Sequence, residues 1–172
     1  MNATQRHFSL NLQPLTPEAW ARFGTLPSDE RDENAYRRSD LEFLWNDGQV
    51  NFIAHDNNEV TLSEGRVRCE LLNRHDTHTQ TLMPMTSDAY IVVAPASVDF
   101  TSSDHFLEVA AFRVPQHVPV HLNRGTWHWG PYPLGADSLR IFNIQGRGYV
   151  NDNEIAWLNR DHNTTYEVAI NE

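Results

Sequence analysis

Short apolar runs with a period of two residues, separated by turn residues, are the feature that most restricts the fold of this chain. Val67, Cys69 and Leu71 alternate with charged residues, which is typical of a strand buried on one face. Further runs rich in β-branched and aromatic residues lie at 89–94, 107–114, 139–144 and 166–170. Turn sequences separate the runs at 46–48, 63–65, 86–88 and 134–135. Many short strands with little helix predict an all-β, antiparallel β-barrel of the jelly-roll type.

One helix is predicted near the beginning of the chain. Thr16 is a favourable N-cap, Pro17 suits the first helical position, and Gly24 is a natural C-terminal stop. An apolar stripe that includes Trp20 predicts a helix over 16–23 that packs on the outside of the barrel. The acidic, turn-rich stretch that follows, 28–40, is interpreted as a surface loop.

Length and composition are those of a soluble globular protein. The 172 residues are 40% hydrophobic and 21% charged, so we expect 1–172 to form a single domain. No apolar run reaches the roughly 18–20 residues that a membrane span needs. The first residues are polar, unlike a signal peptide, and Cys69 can form no disulfide within the chain. A cytoplasmic location without membrane contact is therefore expected.

The charged residues restrict the partners of the protein. A net charge of −10 argues against nucleic acid, because phosphate binding needs clustered positive charge. All 13 basic residues are arginine, which excludes a lysine that forms a Schiff base or acts as a general base. Arginine can hold a carboxylate through its planar fork. The chain is therefore predicted to handle a small anionic molecule.

Two polar segments, 71–85 and 119–131, resemble reduced forms of the two metal-binding motifs of the cupin superfamily. Asn73 falls where the first motif has its first histidine, His75 fits the second, and Gln80 replaces the glutamate. Gly125 and the histidine three residues later keep the Gly-x-x-His of the second motif. The resemblance implies a cupin-like barrel. It also implies that His75, Gln80 and His128 would hold any divalent metal only loosely.

The resemblance extends to the ureidoglycolate lyases. Arg74-His75, Gln80 and Pro84-Met85 are similar to the family pattern Glu-Arg-His-Pro-x-x-x-Gln-x-Phe-x-Pro-Met. Arg124, Trp127 and His128 fit the later series His-Arg-Gly-Val-Trp-His-His-Pro. The similarity covers roughly 14–154. The chain departs from the family at Trp129, which replaces the second histidine of that series, and at Asn123, which replaces the first.

Membership of that family implies cleavage of ureidoglycolate to glyoxylate and urea in allantoin and purine catabolism. The reaction needs a base and an acid near neutral pH, which suits histidine. The resemblance makes His128 the candidate base and His75 or His121 the candidate acid, and these histidines and Gln80 are expected to converge in one barrel mouth. The candidate substrate-binding residues, including an arginine that anchors the carboxylate, are Arg74, Arg124, Gln80, Asn123 and Trp127.

Other readings of the same residues stay open. The departures at Asn123 and Trp129 are compatible with another cupin-type enzyme for a small carboxylate, or with a barrel that binds its ligand without turnover. His78 has no counterpart in the family pattern and is expected to lie in an exposed loop. Family resemblance and the surplus of tryptophan and phenylalanine in so short a chain also favour a homodimer.

Overall fold

A computed structural model describes residues 5–27, 42 and 47–170. Within these residues the chain forms fourteen strands and two short helices. The strands are β1 Arg6–Gln13, β2 Gly24–Thr25, β3 Gly48–Asp56, β4 Thr61–Ser63, β5 Arg66–Cys69, β6 Leu71–Arg74, β7 Gln80–Pro84, β8 Ala89–Ala94, β9 Ala110–Val114, β10 Val120–Leu122, β11 Trp127–Pro133, β12 Ser138–Gly146, β13 Glu154–Trp157 and β14 Thr164–Ala169. The helices are α1 Pro17–Trp20 and α2 Leu158–His162.

The strands form two sheets that curl toward each other into a half-barrel, which confirms the predicted fold class. The larger sheet has the order β13-β6-β11-β8-β9-β1-β14-β5-β4, and the smaller sheet has the order β2-β10-β7-β12-β3. The neighbouring strands are antiparallel except around β1, which pairs in parallel with β14 and with β9. β1, the first described strand of the chain, thus pairs with β14, the last.

The predicted apolar runs at 89–94 and 139–144 lie in strands, and the run at 166–170 lies in β14 except for its last residue. The run at 107–114 does not, because a 3-10 helix over Ser103–Glu108 occupies its beginning and β9 starts at Ala110. The sequence did not predict β1 or β3.

Two apolar clusters lie on the two faces of the larger sheet. One includes Leu82, Ile91 and Ile141 and fills the space between the sheets. The other includes Tyr90 and Phe106 and packs on the opposite face. Alternate residues of β8 enter one cluster and then the other, which explains why all six residues of that strand are buried.

The predicted helix is real but shorter than expected. Thr16 caps α1, because its Oγ1 accepts a hydrogen bond of 3.2 Å from the backbone N–H of Ala19, and the helix ends at Trp20. Gly24 is not the helix stop but lies in β2, where a Cβ atom would be 1.7 Å from the carbonyl oxygen of His121. Glycine therefore permits the close approach of β2 to β10.

The predicted loop 28–40 lies outside the described residues. No helix in the described part of the chain has the length and apolarity needed to cross a membrane.

Candidate active site

A polar cavity of about 400 Å³ lies between the two sheets. Residues of β6 and β11 form one wall, and residues of β3, β7 and β12 form the other. The polar residues of its lining are Asn51, His55, Glu59, Asn73, His75, Gln80, His128, Tyr132, Gln145, Tyr149 and Asn153. The interior of the half-barrel is thus polar at this end and apolar where the two sheets pack.

Three imidazole rings lie together, and two of them, His75 and His128, line this cavity. The ring centroid of His75 lies 5.4 Å from that of His128 and 4.8 Å from that of His78. The structure therefore brings His75 and His128 together, as expected. His78 is buried, with 2% of its surface exposed, and the expectation of an exposed loop histidine was wrong. The loop folds inward because Asp152 binds its backbone.

Each of these histidines uses its Nδ1 atom in the same way. Nδ1 of His75 donates to the backbone carbonyl of Asp152 at 2.7 Å, and Nδ1 of His128 donates to that of Thr126 at 3.1 Å. Nδ1 of His78 lies 3.2 Å from the Asp152 carboxylate. Because these oxygens only accept hydrogen bonds, the neutral rings carry their lone pairs on Nε2.

His128 is poorly suited to act as a base. Burial, together with the neighbouring His75 and His78, lowers the pKa of His128 to about 3. Its Nε2 atom already accepts a hydrogen bond of 3.1 Å from the amide nitrogen of Asn73. The role of His128 as the base stays a prediction, for a ring that is a weak base and whose Nε2 lone pair is engaged by Asn73.

A buried network of side-chain amides forms the wall opposite the histidines. Nε2 of Gln80 donates to Oδ1 of Asn143 and to Oε1 of Gln145, both at 2.9 Å, and Asn143 donates to Asn51 at 2.8 Å. Oε1 of Gln80 is buried and has no hydrogen-bond partner among the described residues. Gln80 thus lines the cavity, as expected, and presents an acceptor without a donor.

A histidine and a carboxylate that sequence reasoning missed also line this cavity. Nδ1 of His55 lies 2.9 Å from Oε2 of Glu59, and the His55 ring packs on Tyr132 with centroids 4.9 Å apart. Burial opposes ionisation of Glu59, but its hydrogen bonds with His55 and the Asp56 backbone outweigh burial and lower the pKa of Glu59. The Asp-x-x-Glu capping box at 56–59 was the available sequence signal.

His121 does not join the other histidines. It pairs with Thr81 across β10 and β7, and its Nδ1 lies 2.9 Å from the Thr81 hydroxyl. Both side chains line a separate groove of about 300 Å³ with Met83 and Phe142. Gln80 pairs with Leu122, the residue next to His121, so the side chains of His121 and Gln80 face opposite sides of the sheet. The predicted convergence therefore fails for His121.

The two arginines proposed to anchor a carboxylate also lie elsewhere. The Arg74 guanidinium binds Glu154 at 2.7 Å and covers the ring of Trp127 at 4.5 Å, in a second cavity of about 510 Å³. The Arg124 side chain is 54% exposed and pairs with Glu42 at 2.6 Å.

Neither of the two remaining candidates for substrate binding lines the histidine cavity. Asn123 is exposed. Trp127 is buried, and its indole N–H donates to the carbonyl of Val98.

We therefore expect Arg74→Ala and Arg124→Ala to leave the KM for an anionic substrate within about twofold of the unaltered value, since neither side chain lines the cavity. Steady-state kinetics of both variants would check this. A tenfold rise in KM for either variant, with the fold intact, would restore that arginine as the anchor.

Comparison with known proteins gives one family. The family model described as ureidoglycolate lyase matches residues 7–164. A search of the curated proteins finds no match.

Similar solved structures include a variant of the oxalate decarboxylase of Bacillus subtilis. It is 14% identical, covers 66% of this chain and 24% of the other, and has a TM-score of 0.40. A second variant of that enzyme is 15% identical, covers 66% of this chain and 28% of the other, and has a TM-score of 0.35. Procruciferin, an 11S globulin from Brassica napus, is 10% identical, covers 54% of this chain and 21% of the other, and has a TM-score of 0.34. The chain thus spans about a quarter of the length of these proteins.

Proposed function

Because this chain belongs to the ureidoglycolate lyase family, we propose that it cleaves ureidoglycolate to glyoxylate and urea. The observation that carries the proposal is the composition of the cavity. It places an imidazole–carboxylate pair and a buried amide network around the same space. The first can move a proton, and the second matches the hydrogen-bonding groups of urea.

The chemistry requires only the transfer of one proton. The central carbon of the substrate carries a hydroxyl, a carboxylate and the ureido nitrogen. Loss of the hydroxyl proton forms the carbonyl of glyoxylate as the carbon–nitrogen bond breaks, and the departing nitrogen takes up a proton to give urea. Both atoms are bonded to the same carbon, so a single imidazole can accept the proton from oxygen and return it to nitrogen.

We assign this proton transfer to His55. Its Nδ1 atom is paired with Glu59, which fixes the ring and stabilises the imidazolium while it holds the proton. His128 has its lone pair engaged by Asn73, and His75 lies between two other imidazoles. The histidines that line the cavity are His55, His75 and His128, and of these His55 is the one with a carboxylate partner.

The amide network is the proposed binding site for the ureido group. Oε1 of Gln80 lacks a donor, and the N–H groups of the substrate would supply one. The described residues that line the cavity include no arginine, so the Tyr149 hydroxyl and the Asn153 amide are the proposed donors to the carboxylate.

The divalent metal implied by the cupin motifs would be held by Nε2 of His75 and His128, whose Nδ1 atoms are bound to backbone carbonyls. When bound, it would polarise the hydroxyl and carboxylate oxygens of the substrate.

The direct test is turnover by the purified chain. With ureidoglycolate supplied, we expect glyoxylate and urea in equal amounts, measured by separate assays for the two products. Release of ammonia in place of urea would indicate a hydrolase. Saturable binding of ureidoglycolate without either product would instead identify a barrel that binds without catalysis.

A second candidate function is a lyase or related enzyme for another small carboxylate. Trp129, which stands where the family pattern has a histidine, lines the cavity and takes up space that a smaller ring would leave open. A panel of small 2-hydroxy acids in the same assay separates the two candidates by their kcat/KM values.

We further propose that the protein is a cytoplasmic homodimer that acts in allantoin and purine catabolism. Val50 and Phe52 on the outer face of the smaller sheet are 63% and 50% exposed, and an apolar patch there suits a second copy. Light scattering at micromolar concentration is expected to give twice the chain mass. A monomer alone would contradict this.

A further inference from the structure

We propose that Tyr132 is a further catalytic residue, whose hydroxyl donates a hydrogen bond to the substrate oxygen that loses its proton to His55. The inference rests on the function and the proton transfer proposed above. Tyr132 lies outside the two motif segments, 71–85 and 119–131, so its role is argued from the structure of β11 and the cavity alone.

A β-bulge in β11 brings the Tyr132 side chain to the face of the strand that Trp129 occupies. Trp129 pairs with Val92 of β8 and Tyr132 pairs with Tyr90, so three steps along β11 match two steps along β8. Residues three apart in a regular strand face opposite sides, but here the two ring centroids lie 4.5 Å apart. Gly130 permits the bulge, because its φ of +94° is one that other residues rarely adopt. Bulges of this kind re-aim side chains beside active sites.

The Tyr132 ring lies beside the pair of residues to which the proton transfer is assigned. It lines the same cavity as His55 and Glu59, and its centroid lies 4.9 Å from that of His55, with 58° between the two ring planes. The Glu59 carboxylate is close enough to oppose ionisation of the phenol. We therefore expect a substrate hydroxyl that contacts the His55 imidazole to lie within reach of Tyr132 as well.

The hydroxyl of Tyr132 is available as a donor. Within the described part of the chain no hydrogen bond engages it, although only 8% of the residue is exposed. A polar group in such surroundings is unfavourable unless a ligand or water binds it. Burial and the nearby Glu59 raise the pKa of Tyr132 to about 12, so the phenol keeps its proton at neutral pH. It can thus donate a hydrogen bond without giving up the proton.

A neutral donor at this place would stabilise the transition state more than the bound substrate. As the substrate O–H bond breaks, its proton passes to His55 and negative charge develops on the oxygen. Hydrogen bonds to a charged oxygen are stronger than those to a neutral one, so the contact with Tyr132 lowers the barrier. The oxygen electron pair then forms the carbonyl of glyoxylate, and the C–N electron pair leaves with the ureido nitrogen, which takes the proton from His55. Tyr132 is unchanged at the end of the reaction.

Steady-state kinetics of Tyr132→Phe test the proposal, because this substitution keeps the ring that packs on His55 and removes only the hydroxyl. We expect kcat for ureidoglycolate to fall by about 10–10²-fold while KM stays within about threefold. The pH dependence of kcat should keep its shape, since the phenol does not titrate near neutral pH. Tyr90→Phe is the matched control and should keep the unaltered kcat. The Tyr90 hydroxyl is buried in the same aromatic cluster, has no hydrogen-bond partner among the described residues and does not line the cavity.

The outcomes separate this inference from the proposed function. No urea release by the unaltered chain would overturn both. Turnover by the unaltered chain with a kcat of Tyr132→Phe within about twofold of it would overturn the role of Tyr132 alone, as would an equal loss in Tyr90→Phe. A changed pH profile would show that the phenol transfers a proton, against the proposal. Should Tyr132→Phe fail to fold, ¹³C NMR of the unaltered chain with oxalurate, which has a keto oxygen in place of the substrate hydroxyl, replaces it. The Cζ signal of Tyr132 must then move while that of Tyr90 stays, and an unmoved Tyr132 signal refutes the proposal.

Discussion

Replacement of His55 by alanine is expected to lower kcat for ureidoglycolate cleavage by about 10²–10⁴-fold, the usual share of general acid–base catalysis. The ring is held by Glu59 at 2.9 Å and packs on Tyr132, so its position in the cavity is fixed before substrate binds. Because the side chain is partly exposed, its loss should leave the fold intact. Steady-state kinetics with circular dichroism would measure both effects.

Two further variants make this result specific. Glu59→Gln keeps a hydrogen-bond acceptor but removes the charge, and we expect a smaller loss of kcat than in His55→Ala. His105→Ala is the matched control, because His105 binds Asp99 and does not line the cavity. If His55→Ala retained more than a tenth of kcat while His75→Ala lost activity, the proton would have to be assigned to His75.

Replacement of Trp20 by alanine is expected to lower the free energy of unfolding by about 3–5 kcal/mol. The ring is fully buried and meets Phe112 edge-on with centroids 5.2 Å apart. Its indole N–H also donates to the carbonyl of His121 at 3.0 Å, which would lose this partner. Urea denaturation followed by circular dichroism measures the change.

A second tryptophan provides the comparison. Trp157 lies on β13, is 37% exposed and packs against Arg160. The same substitution there removes less buried area and opens no enclosed cavity, so we expect a loss of about half that at Trp20 or less. Equal losses in the two variants would mean that Trp20 does not anchor α1 to the barrel.

The fold class could be predicted from the sequence because the strands with the clearest apolar pattern are those that bury one or both faces. Alternate residues of β8 enter both clusters, and Leu139 and Ile141 of β12 enter the cluster between the sheets. β3 escaped prediction because its pattern is reversed. Its exposed face carries Val50 and Phe52, whereas Asn51 and His55 face the cavity, so polarity no longer marks the solvent side.

The candidate site was predicted only in part, for reasons of strand geometry and chain distance. His75, Gln80 and His128 could be located because their motifs fix them on strands or strand ends around the cavity. Successive side chains of a strand face opposite sides, so Arg74 leaves the cavity that Asn73 lines, and His121 is separated in the same way. No local pattern could have indicated that Asp152 would bind the loop at 76–77.

The position of β1 has a consequence for the order in which the protein folds during synthesis. β1 forms six residue pairs with β14 but only two with β9, and its partners in β14 lie more than 150 positions further along the chain. The ribosome has therefore released nearly all described residues before β1 gains most of its hydrogen bonds. Contacts of such long range slow folding. Until then β1 has open edges, which expose the nascent chain to pairing with other extended segments.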